Sequence, residues 1–287
     1  MRIVFAGVRG STPAPGAEFA TVGGNTACVP IWPDGSDVPR LVLDAGTGIR
    51  SVSGLLGDAP FVGTILLSHL HWDHVQGLPF FAAGDRDDAR VRLLLPDDRV
   101  DAAEVLGRAM SPPHFPIGPD GLRGSWSFGT IDEGTVDLEG LTVTAREVPH
   151  KGGRTFGYRV AEGGASVVYL PDHLPRPGRP GWQAAVELAA GTDLLVHDAQ
   201  FVEAEQAVAE RYGHATVDQA IELATEAGVT ELVLFHHSPA RTDAQLAALV
   251  DSIAAPMPVT VATEGDERRL GRPTAASRRL RAGRRSG

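Results

Sequence analysis

Five apolar runs in this chain each end on a histidine or an aspartate. His69 follows "TILLS", His150 follows "TVTAREVP", Asp172 follows "SVVYLP", His197 and Asp198 follow "DLLV", and His236 and His237 follow "ELVLF". Short apolar runs bounded by turn residues read as buried strands. Side chains placed just beyond the carboxyl ends of strands converge at one edge of a sheet. One histidine in such a place is usually structural. Five of them, with "HLHWDH" packing His69, His71, Asp73 and His74 into one short stretch, call for a fold that gathers them.

The remaining pattern is a mixed α/β domain. Further strands are predicted at 2–5, 40–44 and 91–95, with the five above at 64–68, 141–148, 166–170, 193–197 and 231–235. A helix is predicted from "HVQGLPFF". Two more carry capping boxes, Thr216 with Gln219 and Thr242 with Gln245. In each, a hydroxyl and an amide satisfy first-turn donors ahead of an apolar face. The stretch 84–135, rich in Pro and Gly, reads as a long loop excursion over a pocket. There is no internal repeat, so 1–267 reads as a single domain.

Cys28 is the only cysteine, which excludes disulfides within the chain and thiolate-rich zinc sites. Histidine and carboxylate must therefore hold any metal, and they suit Zn²⁺, with Mn or Fe as alternatives. The His-x-His-x-Asp-His spacing suits two ions. In a near-extended loop His69 and His71 point the same way, while Asp73 and His74 turn towards a second ion. A carboxylate between two cations offsets their repulsion, and Asp172 is the natural bridge.

"HLHWDH" after an apolar strand matches the HxHxDH motif, and the chain here resembles the metallo-β-lactamase superfamily over roughly 1–265. The resemblance implies an αββα sandwich, two mixed sheets flanked by helices. It implies that His69, His71 and His150 hold a first divalent metal, that Asp73, His74 and His236 hold a second, and that Asp172 bridges them. Asp44 in "LVLDAGTG" would orient a ligand histidine. His237 becomes the ligand in place of His236 if the register slips by one.

"HDAQF" (197–201) is similar to the HEATF segment of RNase Z-like phosphodiesterases, and "GHAT" (213–216) to their GHST segment. Carried over, Asp198 would orient His214, and His214 would serve the phosphodiester's scissile or leaving oxygen. "GVRGSTPAPG", "GGNTACV" and "SPPHFP" resemble bacterial phosphodiesterase-like members rather than RNase Z itself. Two departures stand out: Asp198 is one methylene shorter than the usual glutamate, and His173 follows Asp172 where a small residue is usual. The expected activity is hydrolysis of a small or cyclic phosphodiester by a hydroxide bridging two metals. Lys151, the only lysine, is a candidate substrate contact beside His150. Acyl substrates (a lactone, thioester or β-lactam) and a non-catalytic metal-binding sensor are the alternatives.

Charge narrows the partners. Residues 268–287 hold eight Arg and no acid, leaving the body with 18 basic against 36 acidic residues. That stretch reads as a disordered basic tail. An acidic body is a poor nucleic-acid binder. Only 21 residues separate His150 from Asp172, too few for the tRNA-gripping arm that bacterial RNase Z enzymes carry there. Both features speak against tRNA as the partner and for a small molecule. No apolar stretch is long enough for a membrane span, and no signal peptide is evident, so the expectation is a cytoplasmic protein. A homodimer stays open as its assembly.

Overall fold

The computed structural model describes residues 1–96 and 99–271. In chain order the first six strands are β1 (Arg2–Val4), β2 (Val29–Trp32), β3 (Leu41–Leu43), β4 (Val62–Leu66), β5 (Arg90–Pro96) and β6 (Ser125–Ile131). The next seven are β7 (Gly134–Leu138), β8 (Leu141–Glu147), β9 (Phe156–Glu162), β10 (Ala165–Leu170), β11 (Leu194–Asp198), β12 (Glu231–Phe235) and β13 (Val259–Val261). A last strand, β14 (Glu267–Arg269), returns to pair with β1. The described strands form two mixed seven-stranded sheets, ordered β14-β1-β2-β3-β4-β5-β6 and β13-β12-β11-β10-β9-β8-β7.

Both faces of each sheet are covered, which is why the central strands are apolar without interruption. Inward residues such as Phe5, Leu41, Val143, Tyr158, Val196 and Phe235 form the core between the sheets. On the far side of the first sheet, Val42, Ile65 and Leu93 pack against α1 (Ile49–Leu56) and α3 (Ala102–Gly107). On the far side of the second, Val168, Leu195 and Leu232 meet α4 (Pro180–Ala189) and α6 (Val217–Ala227); α2 (Trp72–Val75) and α5 (Gln206–Tyr212) are shorter helices. The expected αββα sandwich is the observed architecture.

Both capping boxes are present, Thr216 accepting from the Gln219 amide and Thr242 from that of Gln245. Three expectations need correction. The stretch 84–135 contains β6, which pairs in parallel with β5. Its alternation of Ser125, Trp126, Ser127 and Phe128 is a strand pattern that the surrounding Pro and Gly obscure. The helix expected from "HVQGLPFF" is only a single turn, Trp72–Val75, followed by a 3-10 turn at Leu78–Phe80. Pro79 supplies no amide proton, and a side chain on Gly77 would meet the Gly46 carbonyl oxygen at 2.1 Å. The boundary at 267/268 falls inside β14, and the remainder of the expected basic tail, 272–287, lies outside the described residues. No helix among the described residues is long and apolar enough to cross a membrane.

The sheets are arranged so that β4, β8, β10, β11 and β12 finish at one shared edge. β8 and β10 run the same way because β9 lies antiparallel between them, and β10, β11 and β12 are parallel neighbours. Across the edge, Gly10 donates its amide to the His237 carbonyl and His237 donates to that of Val8. These bonds tie the segment after β1 to the end of β12. Thr242→Ala should cost about 1 kcal/mol in urea unfolding and leave the edge untouched, because its hydroxyl caps only α7 (Asp243–Ser252).

Candidate metal centre

The shared edge brings together all seven residues expected to hold metal. His69, His71, His150 and Asp172 form one cluster of converging ligand atoms, and Asp73, His74 and His236 form a second. Asp172 stands between them with its two oxygens divided. Oδ2 lies 3.4 Å from His150 Nε2 and 3.7 Å from His69 Nε2. Oδ1 lies 3.0 Å from His74 Nε2 and 3.2 Å from His236 Nε2.

The imidazoles are oriented by what their outer nitrogens touch. His74 Nδ1 lies 2.8 Å from Asp44 Oδ2, and a carboxylate can only accept, so Nδ1 carries the proton. His150 Nδ1 donates to the Gly213 carbonyl at 2.6 Å and His236 Nδ1 to Gln200 Oε1 at 3.1 Å. Ser68 Oγ donates to Asp44 Oδ2 at 2.8 Å, which leaves it to accept from His69 Nδ1 at 3.1 Å. Four rings thus have their N–H groups turned outward and their Nε2 lone pairs turned inward, as ligation requires.

Asp44 anchors this arrangement. Its carboxylate also accepts from the Ser68 amide at 2.6 Å and from the Tyr169 hydroxyl at 2.8 Å. Two strained backbones serve the same end: Asp44 has φ 59° and His236 φ 57°, a region that costs non-glycine residues about 1–3 kcal/mol. Gly10 allows the His236 ring its position, since a β-carbon there would come within 2.3 Å of Nδ1.

The electrostatics match a cation cage. Burial, reinforced by neighbouring imidazoles, pushes the pKa of His69, His71 and His150 down and keeps the three rings neutral, each with one nitrogen lone pair free. Burial also opposes charge on His74, but the carboxylates of Asp73, Asp172 and Asp44 outweigh it and raise its pKa. Burial opposes charge on Asp73 and Asp172 as well, and the facing imidazoles override it, holding both carboxyls well below the usual range. His69 Nε2, His74 Nε2 and Asp172 Oδ1 are buried with no hydrogen-bond partner among the described residues. Lone pairs facing lone pairs in a buried site are costly unless a cation lies between them. The donor set therefore fits divalent metal ions.

Asp198 and His214 stand beside the cage. Asp198 Oδ2 accepts from His214 Nδ1 at 2.9 Å, so the shorter side chain spans the gap. The amides of His173, Ala215 and Gln200 also donate to this carboxylate, at 3.1, 3.2 and 3.0 Å. Burial lowers the pKa of His214, but Asp198 more than compensates and lifts it to about 9. His214 lines a 710 Å³ cavity together with His71, Asp73, His150 and Asp172.

Other candidates lie elsewhere. His237 turns away, its Nε2 3.0 Å from the Ala262 carbonyl, and burial drops its pKa to about 3. The ring of His173 pairs with His197 at 3.0 Å. Lys151 neighbours His150, but its ammonium donates to the Arg211 carbonyl instead of entering the cavity. His114 lines an adjacent cavity. Gln200 and Ser11 escape the sequence reading: Gln200 Nε2 donates to Ser11 Oγ at 3.0 Å, and the Ser11 amide donates to Asp73 Oδ2 at 2.6 Å. Gln200 lies inside "HDAQF", yet nothing in one sequence marks its amide as the partner of a histidine after a different strand.

The sandwich with its histidine–aspartate cage, taken with the family match, makes this chain a metal-dependent hydrolase. Residues 39–237 match the family model described as beta-lactamase superfamily domain, and the chain belongs to the metallo-β-lactamase superfamily, in its RNase Z-like branch. Ribonuclease Z of Natronomonas pharaonis is 26% identical over 286 residues, covering 83% of this chain and 87% of that protein. Among solved structures, the metallo-beta-lactamase fold protein YhfI from Bacillus subtilis superposes with a TM-score of 0.72 at 18% identity, covering 93% of this chain and 99% of its own. A diphosphatase from the PhnP family gives a TM-score of 0.69 at 18% identity, covering 94% and 98%. At such identities these two likenesses show the fold alone.

Adding Zn²⁺ to chelator-treated protein should raise its thermal midpoint, since a ligand at about 100 times its Kd stabilises by about 2.7 kcal/mol, and EDTA should reverse the shift. Asp44→Ala should destabilise the protein by about 3–5 kcal/mol in chemical unfolding, because a buried imidazole and two hydroxyls lose their charged acceptor.

Proposed function

We propose that this chain hydrolyses a small or cyclic phosphodiester with two divalent cations, Zn²⁺ by preference. The observation that carries this reading is the Asp198–His214 pair, which opens onto the same cavity as the cage. In this assignment His69, His71 and His150 would hold one ion and Asp73, His74 and His236 the other, with Asp172 shared between them. Bound cations supply an acidified water and a counter-charge for the phosphate.

The chain's own groups do the rest. Asp198 keeps the Nδ1 proton of His214 and fixes the ring, leaving Nε2 for the substrate. A protonated His214 gives its proton to the departing alkoxide, a contribution of about 10²–10⁴-fold in such roles. Trp72, Phe201 and Tyr212 line the cavity and give its walls an aromatic character. A thioester has less use for this pair, because its thiolate departs readily without a proton whereas an alkoxide does not.

Two observations favour a small substrate over tRNA. The interval between His150 and Asp172 is filled by the β9–β10 hairpin, which turns through Gly163 and Gly164. Among the described residues, the cavity lining holds no lysine or arginine to grip a polyanionic backbone. Lys151 remains a candidate substrate contact only if its amine leaves the Arg211 carbonyl.

Asp172→Ala should lose metal and activity together. His214→Ala should retain metal by elemental analysis while hydrolysis of an alkyl phosphodiester, whose alkoxide needs that proton, falls about 10²–10⁴-fold and any thioester hydrolysis falls far less. Turnover of a lactone or β-lactam above that of every phosphodiester tested would reverse the assignment.

A further inference from the structure

A second cavity, of 660 Å³, adjoins the metal centre. It runs between the Trp72–Phe80 segment and α3 with the loop that follows, and Leu106, Met110 and Phe115 line its far side. Leu70 and Trp72 line both cavities. The two spaces are thus neighbours across one wall, and that wall belongs to the loop carrying His71 and Asp73.

The surface of this groove is unusual for one left to water. Trp72 is 74% exposed and Phe80 56% exposed. Phe80 and Phe115 meet edge to face at 5.8 Å, so the aromatic walls are held in a defined arrangement. Apolar concave surface joined to a reactive centre is the usual form of a substrate pocket. The groove carries little charge: its one arginine, Arg108, pairs with Glu104 at 3.2 Å, and His114 is the other ionisable side chain in its lining. A second phosphate would find no unpaired lysine or arginine there among the described residues.

We infer that this groove is a subsite for a flat, uncharged aromatic ring carried by an ester substituent of the substrate, whose phosphate lies over the metal centre. This rests on the phosphodiesterase reading and narrows it to singly charged diesters bearing one aromatic group. Oligonucleotides, with a further phosphate on each side, do not fit. Trp72, Phe80 and Phe115 become specificity-determining residues, and none of the three is an assigned ligand.

Phenylphosphonate and methylphosphonate share the anionic head and differ in the ring, so their affinities isolate the groove. By titration calorimetry with the zinc-loaded full chain, phenylphosphonate should bind about tenfold more tightly, as one buried aromatic contact implies. Phe80→Ala should shrink that ratio to about threefold or less and leave methylphosphonate binding unchanged. Phe115→Ala serves as an independent second variant. Equal affinities in the wild type, a ratio that survives both substitutions, or a larger gain with octylphosphonate would each overturn the aromatic subsite. Ring-dependent binding without hydrolysis of any phosphodiester would instead remove the phosphodiesterase reading and leave the subsite standing.

Discussion

The centre depends on where four protons point. His69, His74, His150 and His236 each commit Nδ1–H to an acceptor outside the cage, which turns Nε2 of each towards Asp172. The acceptors come from four chain segments: Ser68, Asp44, Gly213 and Gln200. Reversing any ring would set an N–H against the other nitrogens and deny a cation its ligand. Metal binding would thus be prepared by hydrogen bonds to groups outside the cage itself.

Holding this geometry has a conformational cost, and the sandwich supplies it. Asp44 and His236 occupy left-handed backbone conformations immediately after β3 and β12. They persist because each is fixed on several sides, Asp44 by Ser68, His74 and Tyr169, and His236 by Gln200, Asp73 and the close approach of Gly10. Strain at the ends of buried strands is tolerated because the strands cannot move to relieve it. The same rigidity keeps Asp198 and His214 in register with the cage.

The surroundings then decide what chemistry this centre serves. Its buried groups are acidic and imidazole-rich, while the adjacent walls are aromatic and aliphatic. Under the proposed function a single phosphate would be neutralised at the cage and the rest of the substrate would meet apolar surface. Both features favour compact, singly charged esters over long polyanions.

Much of this was legible in the residues themselves. Apolar runs and capping boxes follow local rules of periodicity and hydrogen bonding, so eight of the strands, the α6 and α7 starts and the histidine-bearing ends could be read in order, while β2, β7, β9, β13 and β14 could not. The αββα arrangement came instead from the "HLHWDH" resemblance, because no local rule says how two sheets stack. The β6 strand and the broken helix after His74 were misread where Pro and Gly signals competed with alternation. Gln200 and Ser11 could not be read at all, whereas His236 could be preferred over His237 because it directly ends its strand. Composition and spacing determine which ligand types are available and at which strand ends they stand. Which nitrogen faces inward, which neighbour holds it there and what groove lies alongside depend on segments far apart in the chain meeting at one edge, and only their packing decides that.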